Sequence, residues 1–219
     1  MFPDARRPWP GWIEQQLVRR GISDGRVLAA FAAVPREAFV PAEHRAMAHA
    51  DLPLPIGCRQ TISQPYVVAL SLQALGLSGA EKVLDVGTGS GYQAVLLSYL
   101  AAEVHTIEVL EQLYFNARLV VPRHQRAPVH LHLGDGSLGW AEAAPYLGIV
   151  VGARAPTVPP SLVAQLAVGG RLVIPVGGES SQVLYRLVKR PDGGLDKTLL
   201  ERVSYVPLVG QEGTGRRMP

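Results

Sequence analysis

Lys82-Val83-Leu84-Asp85-Val86-Gly87-Thr88-Gly89-Ser90-Gly91-Tyr92 is the stretch that decides the fold of this 219-residue chain. An apolar strand runs into a loop with glycine at alternate positions, and a helical pattern begins at Tyr92. Glycine is needed where the backbone turns sharply or where a ligand approaches without a Cβ in the way. A dinucleotide-binding turn has its third glycine one place later, where this chain has Tyr92, and a phosphate loop ends in Gly-Lys-Ser/Thr. Neither pattern is present, and no lysine or arginine lies between Asp85 and Tyr92 to neutralise a pyrophosphate. A Gly-x-Gly-x-Gly turn between strand and helix suits a nucleoside ligand without phosphates. The competing reading is a purely structural tight turn.

Outward from this turn the pattern alternates. The sequence predicts strands at 82–86, 104–108, 129–133 and 149–151, with helices at 92–101, 111–121 and 161–166. Repeated strand–helix units imply a parallel sheet with helices on both faces. After Gly169-Gly170 a fifth strand is predicted at 171–176, and strands at 183–189 and 199–206 flank the turn Pro191-Asp192-Gly193-Gly194. Upstream, helical spacing covers 12–20 and 24–34, with Pro35 ending the second helix, and resumes from Ser63 to Gly76. Residues 39–59, rich in Pro and Gly, are read as irregular but packed. The expected fold is α/β, a doubly wound Rossmann-like sheet with an N-terminal helical cap and a C-terminal antiparallel hairpin.

In such sheets the ligand lies outside the carboxyl ends of the strands, at the switch point. The first strand brings Asp85 and the turn at Gly87, Gly89 and Gly91. The second ends at Glu108, whose carboxylate can accept hydrogen bonds from ribose hydroxyls. The third ends at Gly134-Asp135-Gly136, where Asp135 can accept from an adenine amine. S-adenosylmethionine is the ligand these features favour. Taken one by one they also have plainer readings: Asp85 caps its own loop, Glu108 is a solvated strand end, and Asp135 forms a turn with Gly136.

Composition narrows the class. A 47% hydrophobic chain of this length buries one core with a modest appendage. The net charge of +3, with basic residues scattered rather than striped, excludes a nucleic-acid binder. The single Cys58 excludes an internal disulfide and fits a reducing compartment. The start has no signal-like apolar run, and no segment approaches the ~20 apolar residues that span a bilayer. The expectation is a cytoplasmic protein with no membrane partner, monomeric by preference. His130 and His132 share one strand face and read as a solvent-facing or helix-covered surface; His44, His49, His105 and His124 show no ligand spacing, so no metal is expected.

The chain resembles the protein-L-isoaspartate O-methyltransferases over roughly residues 27–210. The resemblance is carried by Ala33-Val34-Pro35-Arg36-Glu37, Leu54-Pro55-Ile56-Gly57, Gln60-Thr61-Ile62-Ser63-Gln64-Pro65-Tyr66, the glycine turn, and Gly134-Asp135-Gly136-Ser137-Leu138-Gly139-Trp140. The blocks Gly169–Gly177 and Val206-Pro207-Leu208-Val209 complete it. The glycine turn is common to many methyltransferases; the block around Ser63 is far more specific. The resemblance implies methyl transfer from S-adenosylmethionine to the α-carboxylate of an L-isoaspartyl residue in a damaged protein or peptide, with repair through a succinimide. It implies Ser63 as the active-site residue, with Gln60, Thr61 and Ile62 on the substrate side. Asp85, Gly87, Gly89, Gly91, Glu108, Asp135 and Gly136 would bind the cofactor.

Length, composition and pattern together are read as one domain over 1–219, comprising a cap and substrate-side segment at 1–62, the cofactor-binding core at 63–210 and a flexible tail at 211–219. A carboxylate is already a nucleophile at neutral pH, so the reaction asks for positioning rather than a general base. Ser63 would orient the carboxylate, unless its hydroxyl is spent as the N-cap of the following helix. The chain departs from the family pattern at Arg59 in place of a glycine, at Leu147 in Tyr146-Leu147-Gly148-Ile149, and at Arg154 in Gly152-Ala153-Arg154-Ala155-Pro156. Arg154 is either a snorkelling surface residue or a bidentate contact to the acceptor carboxylate. These departures keep two alternatives open: a carboxyl methyltransferase acting on another peptide or small acid, and a catalytically weak cofactor-binding paralogue.

Overall fold

The structure, a computed structural model, describes residues 9–214. The order of the first eight residues and the last part of the expected tail, 215–219, lie outside the described residues. The cap opens with α1 (Gly11–Gln16), a 3₁₀ turn at Val18–Arg20, and α2 (Gly25–Ala33). Asp24 caps α2, its carboxylate accepting from the Arg26 amide at 2.8 Å. Two strands pair antiparallel, β1 (Leu54–Gly57) inside the segment expected to be irregular and β2 (Gln60–Ile62) just after it. The turn residues there are Cys58 and Arg59, not the Asn-Gly type that announces a hairpin, so the sequence carried no signal for it. Then comes α3 (Pro65–Leu75), stopped by Gly76 in the left-handed region at φ 55°.

The main sheet contains β3 (Lys82–Val86), β4 (Glu103–Glu108), β5 (Val129–Leu133), β6 (Tyr146–Val151), β7 (Leu166–Gly177), β8 (Gln182–Lys189) and β9 (Leu195–Val203). Their spatial order is β5-β4-β3-β6-β7-β8-β9, parallel through β7 and antiparallel from β7 to β9. Helices α4 (Tyr92–Ser98) and α5 (Glu111–Val120) follow β3 and β4, and α6 (Pro160–Gln165) precedes β7. The antiparallel end is as expected, although β7 begins earlier than Arg171 and carries Gly169-Gly170 within it.

Alternation along the strands builds two cores. Val83, Val104, Val150 and Val173 face the cap helices and α3 and α4, while Leu84, Val86, Ile149 and Leu172 face α6. The second layer is thinner than a doubly wound fold leads one to expect. The crossover from β5 to β6 has no α-helix, only 3₁₀ turns at Gly136–Leu138 and Ala141–Ala143. The switch point lies between β3 and β6, and the glycine turn sits above it. Residues 211–214 are not a loose tail: the Gln211 amide donates to Asp135 Oδ2 at 2.7 Å, and the Ser161 amide to Glu212 Oε2 at 2.9 Å. Among the described residues no helix is long and apolar enough to cross a membrane.

Candidate active site

The glycine turn is fixed from its neighbouring strand. The amides of Gly87 and Thr88 donate to the Ile107 carbonyl at 2.9 and 3.2 Å, and the Gly89 amide donates to Glu108 Oε2 at 2.8 Å. Gly87 and Gly89 have φ of 91° and 54°, where a side chain is disfavoured. Above them opens a narrow cleft. Its floor and walls include Gly87, Gly89, Glu108, Gly136, Gln60 and Val209. Among the described residues no lysine or arginine lines it. This agrees with a ligand that lacks phosphates.

Glu108 is buried, and burial raises its carboxyl above the usual range against the pull of three backbone amides. Val109 and Leu110 donate to Oε1 at 3.0 and 2.9 Å, and Gly89 donates to Oε2. A carboxylate offers about four lone-pair directions. One therefore remains for a ribose hydroxyl, rather than the pair of bonds the strand-end argument envisaged.

Three of the expected cofactor residues sit differently. Asp85 is fully buried beneath the turn, accepting from Gln93 Nε2 at 2.8 Å and Thr106 Oγ1 at 2.9 Å, and it does not line the cleft. Burial raises its carboxyl to about 7, which the two donors only partly oppose. Gly91 heads α4 at φ 85°, and a Cβ there would lie 2.4 Å from Val121 Cγ2, so its missing side chain serves helix packing. Asp135 caps the following 3₁₀ turn, accepting from the Ser137 amide at 2.9 Å and hydroxyl at 2.6 Å, and anchors Gln211. Gly136 does line the cleft; a Cβ on it would meet Val86 at 2.8 Å.

A second cavity adjoins the first. It holds about 410 Å³ and is lined by Thr61, Ser63, Gln64, Gly152, Arg202 and Tyr205, among others. Thr61, Gly152 and Val206 line both spaces and form the wall between them. Ile62 and Ser63 also border a small recess beside Gly89 and Gln93. The block around Ser63 therefore stands where the two spaces meet.

Ser63 does not cap α3. The N-cap is Gln64, with no side-chain bond, and the Tyr66 amide donates instead to Asp51 Oδ1 at 3.1 Å. The Ser63 hydroxyl stands against the Tyr205 phenol, which also meets Ser71; burial pushes this phenol up to about 12, so it stays protonated. The Ser63 carbonyl accepts from Arg36 Nη2 at 2.9 Å. Arg36 is fully buried and also donates to the carbonyls of Ala48 and, at 3.3 Å, Leu52. Sequence reasoning missed Arg36 and Tyr205 as parts of the site. Both stand in or next to blocks quoted for the resemblance, which is the only signal the sequence offered.

The departures from the family pattern fall away from both cavities. Arg154 is buried, bridges by its backbone to Val206 and Leu208, and directs its guanidinium to Glu179 at 3.6 Å; it lines neither space. Leu147 is exposed near the start of β6, at the end opposite the site. Arg59 sits in the β1–β2 turn at φ 57°.

The described histidines are less scattered than their spacing implied. Glu103, His105 and His130 bring one ligand atom each within 4.8 Å of one another, on the strand face remote from the glycine turn's helix.

Comparison with known proteins gives a consistent answer. The family described as Protein-L-isoaspartate(D-aspartate) O-methyltransferase (PCMT) matches residues 12–213. A protein-L-isoaspartate O-methyltransferase of Geobacter metallireducens is 49% identical over 203 residues, covering 93% of this chain and 94% of its own. A second, from Marinobacter nauticus and named protein-L-isoaspartate O-methyltransferase 2, is 54% identical over 211 residues, covering 96% and 95%. A solved beta-aspartate methyltransferase (PCMT) from Plasmodium falciparum, in complex with S-adenosyl-L-homocysteine, superposes with a TM-score of 0.80 at 26% identity, covering 94% of this chain and 100% of its own. With two adjoining cavities behind a glycine turn, and a match over nearly its whole length, this chain belongs to the protein-L-isoaspartate(D-aspartate) O-methyltransferase family.

Proposed function

We propose that this chain transfers the methyl group of S-adenosylmethionine to the α-carboxylate of L-isoaspartyl residues in damaged proteins and peptides. The observation that carries the reading is the shared wall of Thr61, Gly152 and Val206 between a nucleoside-type cleft and a cavity lined by Ser63. The cofactor fits the residues present: a carboxylate with a free lone pair at Glu108, glycine backbone at Gly87 and Gly89, and no cation awaiting a phosphate. When bound, S-adenosylmethionine supplies a sulfonium carbon already activated for attack by an oxygen.

The chain's own task is then to orient. Glu108, held by three amides, receives the ribose, and Gly87, Gly89 and Gly136 let the ligand lie against the backbone. Asp85 acts from below, tying Gln93 of α4 to Thr106 of β4, and so positions the turn without touching the ligand. The Ser63 hydroxyl donates a hydrogen bond to one oxygen of the acceptor carboxylate, leaving the other to attack. The neutral Tyr205 phenol holds the Ser63 side chain, and Arg36 holds its backbone. Bringing the reacting atoms into line is worth up to ~7–11 kcal/mol, so positioning alone is a sufficient source of rate. Arg202, at the rim, adds positive charge where an anionic peptide enters.

We also read the protein as a cytoplasmic monomer; sedimentation of the purified chain tests the second part. The activity is tested by methyl transfer to paired isoaspartyl and aspartyl peptides, together with calorimetric titration of S-adenosylmethionine. Methylation of the isoaspartyl peptide alone, with cofactor binding, is expected. Tight cofactor binding with no transfer to either peptide would refute the repair reading.

A further inference from the structure

We propose that Glu103, His105 and His130 form a binding site for a zinc-class divalent metal ion on the outer face of β4 and β5, apart from the methyl-transfer cavities. The parallel register pairs His105 with His130 and Ile107 with His132, and Glu103 lies two residues before His105. All four polar side chains therefore share one face. A helix in the β5–β6 crossover would cover that face; the two short 3₁₀ turns found there leave it open.

The distances suit coordination. Glu103 Oε1 lies 3.0 Å from His105 Nε2 and 3.3 Å from His130 Nε2. A tetrahedral zinc ion with bonds of about 2.0–2.1 Å holds its ligand atoms roughly 3.4 Å apart. Two imidazoles and a carboxylate are a donor set zinc accepts with its fourth position open. Side-chain exposures of 48% for His130 and 40% for Glu103 leave a path from solvent, while His105 at 9% anchors the site.

The surroundings provide what a ligand histidine needs. His105 Nδ1 lies 3.0 Å from His132 Nε2, so with Nδ1–H donating to His132, His105 Nε2 carries no proton and is free to coordinate. His132 is in turn stacked on Trp140, ring centroids 3.9 Å apart and 17° from parallel. Lys82, whose ammonium lies 5.8 Å from the centre of the Tyr146 ring, is a cation that acts on His105. None of Glu103, His105, His130 and His132 lines either cavity. An ion here would clamp the edge strand β5 to β4.

The test titrates Zn²⁺ alone into chelator-treated, untagged full-length protein, followed by calorimetry and competition with a chromophoric chelator. One site with a micromolar or tighter dissociation constant is expected. His130→Gln and Glu103→Gln should each weaken it at least ~10-fold, and His132→Phe, which keeps the stack on Trp140, by ~10-fold or more. Zinc should also raise the melting temperature of the parent and not of His130→Gln. Unchanged binding of S-adenosylmethionine by the variants verifies that they are folded. Equal zinc affinity in parent and His130→Gln/Glu103→Gln, or no site tighter than ~100 μM in the parent, would overturn the proposal.

Discussion

At the scale of single residues, the site rests on Ser63 being free to act. Had its hydroxyl capped α3 it would be spent; Asp51 does that work from outside the helix. Ser63→Ala should lower kcat/KM for an isoaspartyl peptide by roughly 10- to 100-fold, the loss of one hydrogen bond to a charged group, with cofactor affinity unchanged. A change under twofold would remove Ser63 from the reaction. Arg154→Ala should leave both the rate and the KM for the peptide as they are, because the guanidinium faces Glu179 and not the acceptor. Arg36→Ala strips three carbonyls of their donor and should destabilise the fold by on the order of 3 kcal/mol, read from urea unfolding. What the sequence told about the site divides along the same line. Glu108 was legible because local pattern put it at a strand end; Ser63 came only from the resemblance, since its local pattern read equally as an N-cap. The bonds around Asp85, Asp135 and Arg36 were not, since each depends on partners distant in the chain, and a buried arginine has no sequence signature of its own.

At the scale of elements, β3 and β5 were legible to the residue because the first is an apolar run and the second a clean alternation. The β1–β2 hairpin was hidden by its turn. Cys58 and Arg59 both occupy positive φ, 50° and 57°, a region costing roughly 1–2 kcal/mol per ordinary residue. Arg59→Gly should thus stabilise the protein by about 1 kcal/mol, seen as a raised urea midpoint with the same slope. The opposite holds at the start of α4. Gly91→Ala combines positive φ with a contact 2.4 Å from Val121 and should cost about 2–4 kcal/mol. Pairing it with Val121→Ala should recover part of the loss; no recovery would mean the backbone, not the packing, sets the cost.

For the molecule as a whole, stability should carry the imprint of Asp85. Its folded pKa of about 7 lies above the value for an unfolded carboxyl, so the folded state holds the proton more tightly. Its stabilising contribution is complete below about pH 4 and is lost as the pH rises through 7, by at most ~1.4 kcal/mol per unit. Asp85→Asn keeps a partner for Gln93 and Thr106 but has no such proton. The stability of the parent relative to Asp85→Asn should therefore fall between about pH 4 and 7 and level off above, measured by urea unfolding at each pH; a flat difference would refute the assignment.

The wall between the two cavities has a further meaning. Thr61, Gly152 and Val206 come from the hairpin, the end of β6 and the segment after β9, so no fragment of the chain can assemble it. Catalysis thereby becomes a census of fully folded molecules. Methyl-transfer activity and far-ultraviolet circular dichroism should vanish together in urea, and a preparation's specific activity should report its native fraction directly.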